Sequence, residues 1–402
     1  MSTTRHRSFA PIFAAGALSC AAASVFVGAC ASNESDFPAE PDAAVLPAPT
    51  PDAAQDDAEA GACTEDCEYF PETCGPDVLC PNGPFNPTTP TVGMDWRTRV
   101  NVIVGRSASD VWMAGAAGAV AHFDGTSWTP SELGTQESQR ALWLLDSGEV
   151  SLGRVQRVYT RGLDFDADGA DAGGAVSAGG WSLRTPPPMP SDFGYELTAT
   201  WSAPGAESLW LATERGLWRM RLTPASTFEI VPSVPPSVCN VIPCRRMRSI
   251  HGASKRILWA VGDVGSAVRI TEADTDTPTA TPLNTLTWTG LAGVWAASDT
   301  DAWAVGGTGT IRHYTGDGRR WDVVSDVPTT ENLNAVWGTS PSDVWAVGNA
   351  GVVLHYDGTR WSRVKIAGLG TRRPDLYTVW SPGRGHIWIG GQGVVLALGG
   401  KS

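Results

Sequence analysis

Residues 333–361 read LNAVWGTSPSDVWAVGNAGVVLHYDGTRW, and residues 291–321 read LAGVWAASDTDAWAVGGTGTIRHYTGDGRRW. Each stretch opens with an apolar run that ends in Val-Trp and a small residue. A second run of the Val-Trp-Ala-Val-Gly type follows, then a third such as Val-Leu-His-Tyr, then a short run that bears a Trp. The runs are short and rich in β-branched and aromatic residues, and Ser-Asp, Asn-Ala-Gly and Asp-Gly turns separate them, so each unit predicts four strands and no helix. A period of about 44 residues marks one supersecondary unit that buries its faces only against neighbouring copies.

Working outward, the second-run Trp aligns seven units, at Trp112, Ser151, Trp210, Trp259, Trp303, Trp345 and Trp388. Trp recurs in three columns: the first strand (Trp143, Trp201, Trp295, Trp337, Trp380), the second, and the fourth (Trp96, Trp128, Trp181, Trp288, Trp321, Trp361). Only Trp218 stands outside them. The seventh unit has no fourth-strand Trp, whereas Asp95-Trp96-Arg97-Thr98-Arg99-Val100 matches the run around Trp361. The N-terminal strand is therefore expected to complete the last unit, with Trp96 closing the ring. The expected fold is all-β: a seven-bladed β-propeller over 92–402, in which closure protects the sheet edges, and not a sandwich or an open solenoid.

These repeats resemble a bacterial VWG/DVWAVG/HYDG-W repeat family related to the sialidase-like (BNR, Asp-box) propellers. The motifs are sharpest in units five and six and degraded in units two and four. Asp357-Gly358-Thr359-Arg360-Trp361 lacks the Asp-box order, and His355 stands where its Ser would be. The resemblance implies the fold and not glycosidase activity.

Upstream the composition changes. Arg5 and Arg7 precede an uncharged, Ala-rich stretch from Ser8 to Ser32, the order of an export signal. The stretch contains Val27-Gly28-Ala29-Cys30, which resembles a lipobox; a signal peptide over 1–29 and acylation of Cys30 are expected, with a simple signal peptide or an uncleaved membrane helix as alternatives. Ala31 after the Cys resembles lipoproteins sent to the outer membrane, so the expected location is the envelope of a Gram-negative bacterium, periplasmic or surface-exposed. Residues 30–61 are an acidic Ala/Pro tether with little to bury, expected to be disordered. Fourteen of the 42 acids lie between Arg7 and Arg97, and no base does, which leaves 28 acids against 27 bases from residue 97 onward. The net charge of −13 belongs to the segment ahead of residue 97, which includes the tether, and a nucleic-acid partner is not expected.

Six cysteines remain once Cys20 and Cys30 are set aside. Cys63, Cys67, Cys74 and Cys80 form a small Cys-rich segment within 62–91, and Cys239 and Cys244 sit in a Pro-rich loop. An even number in an exported chain, without close zinc-knuckle spacing or nearby His, predicts disulfides. Cys239 and Cys244 are expected to bridge each other; the pairing of the first four stays open.

Catalytic signals are sparse. His122, His313 and His355 occupy one equivalent position in three units, which predicts framework residues; His251 replaces a first-strand Trp, and His386 lies in a turn. No trio of titratable groups stands out at a nonrepeated position, so no enzyme is expected. In unit two, Asp164, Asp166, Asp168 and possibly Asp171 resemble a D-x-D-x-D-G calcium loop, although Ala175 at position twelve excludes an EF-hand; a solvated acidic hairpin is the other reading. Calcium is the one cofactor this loop would hold, and no other cofactor is expected. Connectors between units carry Arg245, Arg246, Arg372 and Arg373, which offer fixed bidentate donors to an anionic or carbohydrate ligand. The leading expectation is a monomeric, lipid-anchored platform that binds a protein or a glycan and touches the membrane through its anchor only. A sialidase-like hydrolase or lyase and a calcium-dependent adhesion or pilus-associated component are the alternatives.

Overall fold

A computed structural model describes residues 68–86, 93–163, 176–224 and 227–398. They form seven four-stranded antiparallel sheets. Blade six shows the pattern. Leu333–Ser340 is the inner strand, and Asp343–Gly348, Val353–Tyr356 and Trp361–Arg363 follow outward in chain order. Blades one to five repeat this order, and blade seven takes Leu376–Gly383, His386–Gly391 and Val394–Leu398 from the C-terminal end. The seven-bladed propeller of the sequence reading is thus the fold. Among the described residues no helix is long and apolar enough to cross a membrane.

An N-terminal strand does close the ring, but it is not the one around Trp96. Leu79–Pro81 is the outer strand of blade seven, pairing Leu79 with Leu398 and Pro81 with Leu396. Trp96 instead lies 41% exposed, just ahead of the inner strand Val100–Ser107. The reason is reach. An outer strand of blade seven lies at least three strand spacings, about 14 Å, outside the ring of inner strands that Val100 joins, and the four steps from Trp96 to Val100 cover about 14 Å only when fully extended, with no allowance for the turn into blade one. Leu79 and Cys80 are buried, and Pro81 at the strand's end forgoes a donor at an outer edge, where Pro is tolerated.

The Cys-rich segment fastens this closing strand. Cys74 and Cys80 are bridged. The Leu79 amide donates to the Lys365 carbonyl (3.2 Å), and Ile366 and Ala367 donate to Tyr69 and Leu79 (both 2.8 Å). Phe70 packs against Gly351, where a Cβ would sit 3.0 Å from its ring. Cys239 and Cys244 are bridged as expected, while Cys30, Cys63 and Cys67 lie outside the described residues.

The Val-Trp-Gly run has a packing cause. Trp295 of blade five lies over Gly338 of blade six, and Trp380 of blade seven over Gly105 of blade one; a Cβ on either Gly would come within 2.6 Å of the indole. The Trp337 indole donates to the Ser381 carbonyl of the next blade (3.1 Å). Trp295 and Trp380 therefore each wedge a pair of blades, and the Gly at the equivalent point of the following inner strand makes room for the wedge. Trp218 fills the third strand of blade three and is fully buried. Trp288 departs from its expected fourth-strand column: it sits in the connector from blade four to blade five, 87% exposed.

The repeated histidines are framework, as expected. His122, His313 and His355 bond through Nε2 to Asp110, Asp301 and Asp343 (2.8, 2.9 and 2.7 Å). Their rings lie on Trp112, Trp303 and Trp345 at centroid distances of 4.4, 3.8 and 4.3 Å. In these three blades the imidazole and the carboxylate thereby satisfy each other inside the blade.

Candidate binding face

A buried residue stands at the start of each inner strand, or in blade two just before it: Val100, Gln139, Leu197, Met247, Leu291, Leu333 and Leu376. The residue that follows each of them points into the mouth of the central channel. These are Asn101, Arg140, Thr198, Arg248, Ala292, Asn334 and Tyr377, one from each blade, and they line a cavity of about 510 Å³ with Arg99, Glu196, Arg246 and Asp263 among its other walls.

Most of the neutral polar groups in this circle are used to tie blades together. Asn101 donates to the Gln139 carbonyl (2.8 Å), Thr198 to Met247 (2.6 Å) and Asn334 to Leu376 (2.8 Å), each on the following blade. Arg248 pairs with Asp263. Arg99 stacks on the Tyr377 ring at 3.7 Å. Burial, followed by the Asp375 carboxylate, raises the Tyr377 pKa above its usual value against the opposing pull of Arg99, so the phenol stays neutral. Arg140 and Arg246 are exposed, and neither has a side-chain partner among the described residues. Four arginines against two carboxylates make this the cationic end of a nearly neutral domain.

Arg246 also belongs to a second cavity of about 570 Å³, shared with Glu214, Arg215, Pro236, Asn240 and Arg245. The loop between the two cavities is held by the Cys239–Cys244 bridge, both residues being buried. Arg245 bonds to Asn240 across this loop. Arg246 turns the chain into blade four with a left-handed φ of 51°. Glu214 accepts from the backbone of Tyr195 and Glu196 (2.9 and 3.0 Å) and so fixes the connector that presents both. Burial would raise the Glu214 pKa, but these backbone donors outweigh it and hold the carboxylate below its usual range.

Of the four connector arginines singled out in the sequence, Arg246 reaches the mouth and Arg245 the adjoining cavity. Arg372 and Arg373 are placed elsewhere. Arg372 donates to the carbonyls of Gln392 and Gly393 (both 3.2 Å) and covers Trp96, and Arg373 stacks on Phe70 at 3.7 Å. They hold the N-terminal segment to blade seven. The calcium candidates Asp164, Asp166, Asp168 and Asp171 lie outside the described residues; among the described residues no cluster of three or more metal-ligating side chains occurs. Sequence reasoning missed Arg99, Arg140 and Arg248. For Arg140 and Arg248 the usable signal was positional: an aligned column at or just before the start of each inner strand.

Comparison with known proteins agrees with this architecture. A sequence family described as photosynthesis system II assembly factor YCF48, a BNR-type repeat family, matches residues 238–357, from the disulfide loop through the third strand of blade six. No characterised protein matches by overall sequence. Among solved structures, YCF48 from Cyanidioschyzon merolae superposes with a TM-score of 0.57 at 13% identity, covering 75% of this chain and 95% of that one. YCF48 bound to a D1 peptide gives 0.54 at 16%, covering 75% and 93%. A streptogramin B lyase gives 0.56 at 16%, covering 78% and 95%. The chain is thus a seven-bladed propeller with BNR-like repeats. At these identities the likeness to solved structures concerns the fold.

Proposed function

We propose that the protein is a non-catalytic binding platform that holds a protein partner on the connector face around the channel mouth. The observation that carries this reading is the circle of one residue per blade, in which Asn101, Thr198 and Asn334 bond to the next blade, while Arg140 in the circle and Arg246 beside it are left for a partner. Arg is the side chain best suited to fixed bidentate recognition, and exposed arginines beside aromatics are the usual composition of interface anchors. Similarity to a family of assembly factors, and to a YCF48 structure that holds a peptide, supports a protein partner over a glycan. The lyase neighbour supports no chemistry at this mouth: Asp263 is paired with Arg248, and the His–Asp pairs are stacked on Trp inside the blades. In the same reading, Cys30 carries the lipid that keeps the platform in the cell envelope.

The test is cross-linking in envelope extracts, comparing the wild type with an Arg140→Glu, Arg246→Asp double variant. Both side chains are exposed, and Asp tolerates the left-handed backbone at 246 better than most residues, so the variant should melt like the wild type. Loss of the cross-linked partner supports the reading. Retention of the same partner, or turnover of a glycoside by the wild type, overturns it.

A further inference from the structure

Three exposed apolar side chains gather on the side of the mouth formed by blades four and five. Val264 (61% exposed) follows the mouth residue Asp263; Leu286 (42%) and Trp288 lie in the connector that leads to Ala292, also at the mouth. The two segments touch. Thr285 donates through its hydroxyl to the Gly265 carbonyl (2.6 Å), and a Cβ on Gly265 would meet the Thr287 carbonyl at 2.0 Å.

This arrangement runs against local preference. Val264 and Leu286 both adopt left-handed φ values, 55° and 54°, a region that bulky and β-branched residues avoid. The Val264 position is filled by Ala117, Thr308 and Ala350 in blades one, five and six, at φ values of 55°, 51° and 51°. The connector is also held from below. The buried Arg312 guanidinium donates to the carbonyls of Thr285 (2.7 Å) and Leu286 (3.2 Å), and the Leu286 amide donates to Asn284 Oδ1 (2.9 Å). A strained backbone persists where its surroundings over-determine it, and it tends to mark functional surfaces. Here it presents aliphatic side chains and an indole to solvent, beside arginines.

We propose that Val264, Leu286 and Trp288 form an apolar ledge that takes one large apolar side chain of a partner peptide segment whose neighbouring residues are acidic and reach Arg246, Arg248 and Arg140. This rests on the platform reading above and names the chemistry of its partner. Charge complementarity selects the acidic flanks. The exposed indole at the edge of the cationic mouth selects the apolar anchor, since Trp and Arg dominate interface hot spots.

The experiment is affinity selection of a displayed random-peptide library on the full chain, followed by solution binding of the enriched peptides to the wild type, Trp288→Ala, Val264→Asn and Arg140→Glu proteins. The expected result is enrichment of peptides that combine an aromatic or large aliphatic residue with Asp or Glu. Their affinity should fall at least about tenfold in Trp288→Ala and Arg140→Glu, and should fall with added salt. Val264→Asn relieves the backbone conflict, so it should melt no lower than the wild type while binding more weakly. Equal affinity for Trp288→Ala and wild type overturns the ledge while leaving the platform standing. Peptides that bind Arg140→Glu as well as wild type count against the mouth itself. No enrichment, enrichment of basic peptides, or saturable binding of anionic vesicles with no peptide binding overturns the proposal.

Discussion

His251 shows how one side chain can carry a pH dependence without taking part in binding. It occupies the inner-strand Trp position of blade four, buried near Trp201, Trp295 and Trp337 at centroid distances of 5.6, 6.4 and 5.0 Å. Its Nδ1 accepts from the Ala296 amide (3.1 Å), which requires the neutral ring at that atom. Desolvation lowers its pKa to about 3. A pKa depressed in the fold means that stability is fully present above the unfolded value of about 6.5 and is lost as pH falls toward the folded value. Thermal melts from pH 7 to pH 4 should show wild-type stability declining relative to His251→Trp, with the difference opening below about pH 6.5; parallel curves would mean that the ring is not held neutral by burial. Gly338 is the complementary case. Gly338→Ala places a methyl within 2.6 Å of the Trp295 indole, and overpacking of this kind should cost about 1–3 kcal/mol in denaturant unfolding.

The element that closes the ring is the one whose place the repeat pattern did not locate. The blades themselves were legible because turn chemistry and Trp columns recur with the strands, and the disulfide loop was legible because two cysteines share a short Pro-rich connector. The closing strand was not. Leu79-Cys80-Pro81 carries no Trp, while Trp96 imitates the repeat by sequence and is too near Val100 to span a blade. Trp288 misled for the same reason, since a column of Trp says nothing about which member has slipped into a connector. Leu79→Ala should therefore cost about 2–5 kcal/mol, and Cys74→Ser with Cys80→Ser should also lower the melting temperature, because the bridged segment includes this strand. Trp96→Ala, at a half-exposed position, should cost much less. A larger loss from Trp96→Ala than from Leu79→Ala would return closure to the segment first expected.

At the scale of the whole molecule, the propeller converts a repeat into a circle, and the circle places seven non-equivalent side chains at one mouth. Repetition explains the scaffold; departure from repetition marks the face. Asn101, Thr198 and Asn334 keep the blade-to-blade bond, while Arg140 and Arg246 are left without one. The sequence made the arginine-bearing connectors visible but not which of them converge, because convergence depends on the radius at which a residue sits. Arg246 and Arg372 read alike in a sequence, yet one lines the mouth and the other clamps the N-terminal segment. The lipid anchor is a separate question at this scale: Cys30→Ser should abolish acyl labelling and detergent-phase partitioning, and unchanged labelling would remove the envelope tether from the account.

The most direct measurement of the central claim is the binding isotherm of the cross-linked partner, or of a selected peptide, with wild-type protein and with Arg140→Glu, Arg246→Asp at matched melting temperature. The account predicts at least about tenfold weaker binding in the variant, with the difference shrinking as salt screens the wild-type interaction. Indistinguishable isotherms at low salt would contradict it and would place the partner on another surface of the propeller.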